Sequence, residues 1–116
     1  MFETIFFILL IWFHWFGDYV LQTSYQAENK SINNKALFSH GLNYSIVLLV
    51  FSLCFNLSFW WVILNALLHI LVDYISSRIT KKLYKDKDFH NFFVILGLDQ
   101  AIHLTILFIS AYFLTI

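Results

Sequence analysis

A chain of 116 residues is long enough for one compact domain and no more. Hydrophobic residues make up 60% of it, aromatics 21% and charged residues only 12%, well short of the roughly 25% charge that covers a soluble domain, so lipid is the expected solvent. The formal net charge of zero argues against a nucleic-acid partner, which would need surplus Lys and Arg, and the single cysteine, Cys54, excludes an internal disulfide.

A bilayer core of ~30 Å calls for about 20 mainly apolar residues at 1.5 Å of rise each. Four stretches meet this, at about 2–22, 37–57, 59–79 and 89–114. The first begins without a basic segment, carries Glu3 and shows no small-residue cleavage site, so it reads as a retained helix and not a signal peptide. A polar, turn-like run (KSINNK, Lys30 to Lys35) separates it from the second. Asn56 to Ser58 is a very short connection that makes the second and third spans antiparallel neighbours. No proline occurs, hence no proline kink. The expected fold is all-α: a single transmembrane domain over residues 1–116, folded as an integral membrane four-helix bundle.

Lys30 and Lys35 fall in the first connection, and Arg78, Lys81, Lys82, Lys85 and Lys87 around the third. With four spans, both connections share one side. The positive-inside rule makes that side the cytoplasm, with both termini, including Ile116, outside. The chain then belongs in the cell's inner (plasma) membrane as a multi-pass protein. Trp60 and Trp61 are expected at the outer interface, and Tyr25 and Tyr84 near the inner one.

Ionisable residues inside spans are costly, at about 2.5–3.5 kcal/mol each near a helix centre on insertion scales. Three aspartates lie there, each with a histidine four residues away: His14 and Asp18 (HWFGD), His69 and Asp73 (HILVD), Asp99 and His103 (DQAIH). That spacing places both side chains on one helix face. The first and third spans run inward and read His then Asp, whereas the fourth runs outward and reads Asp then His. In all three the aspartate therefore lies nearer the cytoplasm, with the histidine one turn, about 5–6 Å, deeper. His40 opens the second span and can close the aspartate layer. Gln22, Tyr44, Asn65 and Gln100 continue the same faces. Gly17, Gly41 and Gly97 sit close to them, where small residues let helices approach.

Three readings compete. Imidazole and carboxylate suit zinc, manganese or iron, and His14, Asp18, His40, His69, Asp73, Asp99 and His103 form a ligand set larger than one tetrahedral zinc needs. It suits one or two divalent ions, two of them about 3.5–4 Å apart under bridging carboxylates. The same pairs could relay protons without metal, or serve as hydrogen-bonding glue between helices. Glue does not call for three charged pairs at matched depth, which favours the metal. His90, in KDKDFHN, reads as a solvated residue, Cys54 as a packing residue, and Trp12 and Trp15 as packing aromatics.

The stretch HWFGDYVLQ with Lys30 after it, His40 opening the next helix, HILVDY, and LDQAIHL together resemble domain-of-unknown-function family 3307, a group of small bacterial and phage membrane proteins. The resemblance covers nearly the whole chain. It implies the membrane fold and the choice of positions, and no reaction. A looser similarity, at fold level alone, is to small membrane-bound metal hydrolases, though their histidine-rich His-Arg and Thr-His-Ser signatures are missing.

The function expected is a metal-dependent hydrolase acting on a lipid or another membrane substrate from the cytoplasmic side. Asp18, Asp73 and Asp99 are the candidate catalytic carboxylates, and Gln22, Lys30 and Gln100 the candidate substrate contacts. The alternative is a metal or proton permease, or a structural subunit of a membrane assembly. The lipid bilayer is the expected partner, and oligomerisation is left open.

Overall fold

The computed structural model describes residues 3–115. Phe2, where the first expected span begins, and Ile116 lie outside the described residues. Five α-helices succeed one another in chain order: α1 (Thr4–Trp15), α2 (Ser24–Asn29), α3 (Asn34–Phe55), α4 (Phe59–Lys85) and α5 (Phe89–Phe113). No strand occurs among the described residues, apart from an isolated bridge between Leu57 and Thr115. α3, α4 and α5 are long and apolar enough to cross a membrane, whereas the apolar run Thr4–Val20 is shorter.

Local chemistry sets these boundaries. α1 passes directly into a wider π-helical turn, Phe16–Val20, closed by a bond of 3.0 Å from Leu21 N–H to the Phe16 carbonyl. The chain then leaves the helix, and Thr23 opens α2 with a reciprocal capping box: its hydroxyl accepts from Gln26 N–H at 3.1 Å, and Gln26 Oε1 accepts from Thr23 N–H at 3.0 Å. The first connection is therefore partly helical, where the sequence suggested only a polar loop. α2 is tied to α3 by Gln26 Nε2 donating to Ser39 Oγ at 2.9 Å. Asn33, Ser58 and Asp88 cap α3, α4 and α5. Asn91, at 2.8 Å, holds the exposed Asp88 carboxyl below the usual carboxylate range. α4 continues to Lys85 instead of ending near residue 79, because its last turns carry charge into the polar end without a helix breaker.

α4 lies between α3 and α5, and α1 packs chiefly on α3. All Lys and Arg residues gather at the end formed by α2, the start of α3, the last turns of α4 and the α4–α5 connection, hereafter the basic end. At the opposite end, Ser58 N–H donates to the Leu114 carbonyl, fastening the α3–α4 turn to the end of α5.

The half remote from the basic end is a packed apolar core containing Phe6, Leu10, Leu48, Phe51, Leu107 and Ala111. Trp61 belongs to it and is fully buried, its indole N–H donating to the Leu107 carbonyl at 3.3 Å. That corrects its expected place at an interface: successive helix residues point about 100° apart, so only Trp60 faces outward, 68% exposed. Cys54 is also exposed and does not pack in the core, since it lies on the outward face of α3 beside Leu53. Many large apolar side chains, Trp12 and Trp15 among them, project outward round the bundle.

Two glycines set the helix spacing. A Cβ on Gly41 would stand 2.5 Å from Ile70 Cγ1, and one on Gly17 would stand 3.1 Å from Tyr44 Cδ2. α3 can approach α4 and the π-helical turn this closely only because both positions lack a side chain. Gly97 has open space around it and plays no such part.

Candidate metal centre

All seven residues expected in the polar ring are buried and converge where α1, α3, α4 and α5 meet. Four of them form its tightest group: Asp18, His40, His69 and Asp73. His40 Nε2 lies 3.0 Å from Asp18 Oδ1, 3.3 Å from Asp73 Oδ2 and 3.1 Å from His69 Nε2. His69 Nε2 lies 3.5 Å from Asp18 Oδ1 and 3.4 Å from Asp73 Oδ2. Three of these five separations exceed the 2.7–3.2 Å of an N–H···O hydrogen bond. Ligands about 2.0–2.1 Å from a tetrahedral ion stand about 3.3–3.4 Å from one another, which lies within the observed range of 3.0–3.5 Å.

Each carboxylate is shared with a further group, Asp18 with His14 and His103, and Asp73 with Asp99 and His103. Asp18 turns Oδ1 to His40 and His69, and its Oδ2 lies 3.7 Å from His14 Nε2 and 3.9 Å from His103 Nδ1. Asp73 turns Oδ2 to the same imidazoles and places Oδ1 3.8 Å from His103 Nε2. Asp99 Oδ2 is 3.4 Å from His103 Nδ1. Neither ring nitrogen of His103 has a hydrogen-bond partner, although both are buried among carboxylates. Such orphaned buried atoms are uncommon and ask for a partner. Among the described residues, Asp73 is the one of the three carboxyl groups paired with an ammonium: Lys30 Nζ donates to its Oδ2 at 3.1 Å. Buried charge of one sign is costly without a counterion.

His14 stands apart from the other histidines because both its nitrogens are engaged. The Gln100 amide nitrogen donates to Asp18 Oδ2 at 3.0 Å and Asp99 Oδ2 at 2.9 Å. Its oxygen is thereby turned to His14, which must donate from Nε2, at 2.8 Å. Nδ1 is then the acceptor for the Tyr44 hydroxyl at 2.7 Å. The chain Tyr44–His14–Gln100 fixes two carboxylates, as outer partners of a metal centre do. Tyr44 also stacks on His69, with centroids 3.9 Å apart. Asn65 takes no such part: its amide nitrogen donates to the Trp61 carbonyl and Ser110 Oγ, away from the ring.

Ser76, which the sequence pattern did not single out, donates to Asp99 Oδ1. Its signal was the Ser-Ser pair at 76–77, one turn after Asp73. Gln22 and Lys30 line a cleft of about 470 Å³ that opens at the basic end and has Asp73 and Asp99 among its walls. Gln100 does not line it. His90 is exposed, outside the ring.

Over residues 5–116 the sequence matches the family described as Protein of unknown function (DUF3307). The chain belongs to this family. No curated protein and no solved structure matches it. The ring residues all fall within the matched segment.

Proposed function

We propose that this is a multi-pass membrane metalloprotein that holds a divalent ion between Asp18, His40, His69 and Asp73, and that it hydrolyses a lipid or another membrane-embedded substrate. The set of five ligand-atom separations, 3.0–3.5 Å, carries the reading. Zinc suits a four-ligand set of imidazole and carboxylate, whereas manganese and iron favour more ligands. The outward-facing apolar side chains and the 46 Å long axis match a bilayer, whose thickness with headgroups is about 40–45 Å. The basic end then faces the cytoplasm of a plasma membrane, and the opposite end, with both termini, faces outward.

A centre with four protein ligands is closed, as structural sites are, and catalysis needs an open position. Asp73, Asp99 and His103 form a neighbouring group of three candidate ligands, and Asp73 and Asp99 reach the cleft. A divalent ion held there by Asp73, Asp99 and His103 would supply Lewis acidity and a water of lowered pKa. Asp99 is the carboxylate placed to take a proton from water entering the cleft, with Ser76 and Gln100 holding it in position. A permease needs a second opening. Here the route away from the basic end meets Tyr44, Asn65 bonded to Trp61 and Ser110, and then the apolar core.

Elemental analysis of detergent-purified full-length protein tests the reading. About one to two ions per chain are expected for wild type and His90→Ala, with most lost in Asp18→Asn. Less than about one-tenth of an ion in wild type after reconstitution with zinc, manganese or iron would overturn it.

A further inference from the structure

The cleft at the basic end has an apolar neighbour on the other side of the Ser76–Asp99 hydrogen bond. Between α4 and α5 lies a second cavity of about 150 Å³, lined by Val72, Ile75, Ile79, Ile95, Leu98 and Ile102, with Ser76 and Asp99 at its inner edge. Ser76 and Asp99 line the polar cleft as well. A single molecule filling both must have a polar head and an apolar tail, joined beside Asp99.

The head's chemistry is set by the cleft's donors. Lys30 Nζ reaches Asp73 and keeps 19% of its side chain exposed, and Lys81 stands at the exposed rim. Ser77 is 7% exposed and stands in the cleft wall; its hydroxyl has no hydrogen-bond partner and is buried, so it meets a ligand in the cleft only once its side chain turns outward. Two ammonium groups and a free hydroxyl match a head with several charged acceptor oxygens, as phosphate has. Asp73, Asp99 and the exposed Glu28 oppose an anion here. An anionic head is therefore compatible only with a cation between the carboxylates, and its binding rests on the metal reading.

We infer that the substrate is the phosphate monoester of a lipid alcohol, its phosphate in the cleft between Lys30, Lys81 and Ser77 and its chain in the α4–α5 groove. Hydrolysis there forms a bond from water oxygen to phosphorus and breaks the bond from phosphorus to the lipid oxygen. One water proton passes to the Asp99 carboxylate and on to the departing lipid oxygen. The products are inorganic phosphate and the lipid alcohol, the latter still seated in the groove.

The test uses the metal-loaded full chain in detergent, titrated separately with dioleoyl phosphatidic acid, dioleoylglycerol and inorganic phosphate, with binding read by native mass spectrometry and metal content measured on the same samples. Phosphatidic acid should bind at least about tenfold more tightly than either of the others. Ser77→Ala and Lys81→Gln should weaken phosphatidic acid and inorganic phosphate together. Ile75→Trp and Leu98→Trp, which fill the groove, should weaken phosphatidic acid and leave inorganic phosphate unchanged. Fully metallated protein that binds dioleoylglycerol as well as phosphatidic acid overturns the phosphate head and leaves the metal reading intact. Inorganic phosphate binding as tightly as phosphatidic acid overturns the lipid and points to a soluble ester. Protein that takes up no metal overturns both proposals.

Discussion

The two halves of this bundle are built on opposite principles. Away from the basic end, Phe6, Leu10, Phe51, Trp61, Leu107 and Ala111 fill the interior with apolar surface and edge-to-face rings, as between Phe6 and Phe51 at 5.3 Å. Toward it, the same helices bury three aspartates and four histidines. Apolar packing tolerates exchange of shape for shape. A buried polar cluster depends on each member being satisfied. Substitutions in the first half should therefore cost stability and spare the site, and substitutions in the second should cost ligand binding before stability.

The largest effect is expected from Asp73→Asn. Asparagine keeps the shape and hydrogen-bonding capacity but removes the charge that a cation needs and that Lys30 pairs with. Metal affinity measured by chelator competition should fall by more than about 100-fold, beyond the 10–100-fold typical of losing an outer partner. If the cluster were only glue, the change would be nearly silent, since hydrogen bonds between membrane helices average ~0.6 kcal/mol.

Gln100→Ala comes next. It leaves every proposed ligand in place but frees the carboxylates of Asp18 and Asp99 and the ring of His14. Metal affinity should drop by about 10–100-fold, with the thermal midpoint in detergent little changed. An unchanged affinity would show that the Tyr44–His14–Gln100 chain does not support the metal centre.

Gly41→Ala probes the junction of the two halves. The added Cβ would lie 2.5 Å from Ile70 Cγ1, so the Ile70 side chain must move or α3 and α4 must separate. Overpacking of this kind costs about 1–3 kcal/mol, seen as a lower thermal midpoint, and His40 should then bind metal less well because it precedes Gly41. Gly97→Ala, in open space, should change neither quantity.

Trp61→Phe is the smallest. It preserves a buried ring and gives up the indole bond to the Leu107 carbonyl, a loss of about 1 kcal/mol, with metal content unaltered. Loss of metal in this variant would show that the two halves are not separable.

Much of the polar half was legible in the sequence because helical geometry alone fixes it. Residues four apart share a face, and the reversed order of Asp99 and His103 on an antiparallel helix puts them level with the other two pairs. Periodicity does not reveal contacts between helices. It could not show that His14 would be held by Tyr44 and Gln100, that Asn65 would turn to Ser110, or which of Trp60 and Trp61 faces inward. The π-helical turn at Phe16–Val20 and the capped α2 were likewise hidden. Both depend on local hydrogen bonds, and the apolar run through Val20 conceals them.

If four side chains from separate helices form one tetrahedral centre, X-ray absorption spectroscopy of the zinc-loaded full chain will show it most directly. With zinc loaded to one ion per chain, about four nitrogen or oxygen scatterers are predicted at about 2.0–2.1 Å, with the outer-shell pattern of two imidazoles, reduced to one imidazole in His69→Ala. Sulfur in the first shell, which Cys54 alone could supply unless Met1 did, or an oxygen-only shell without imidazole, would contradict it.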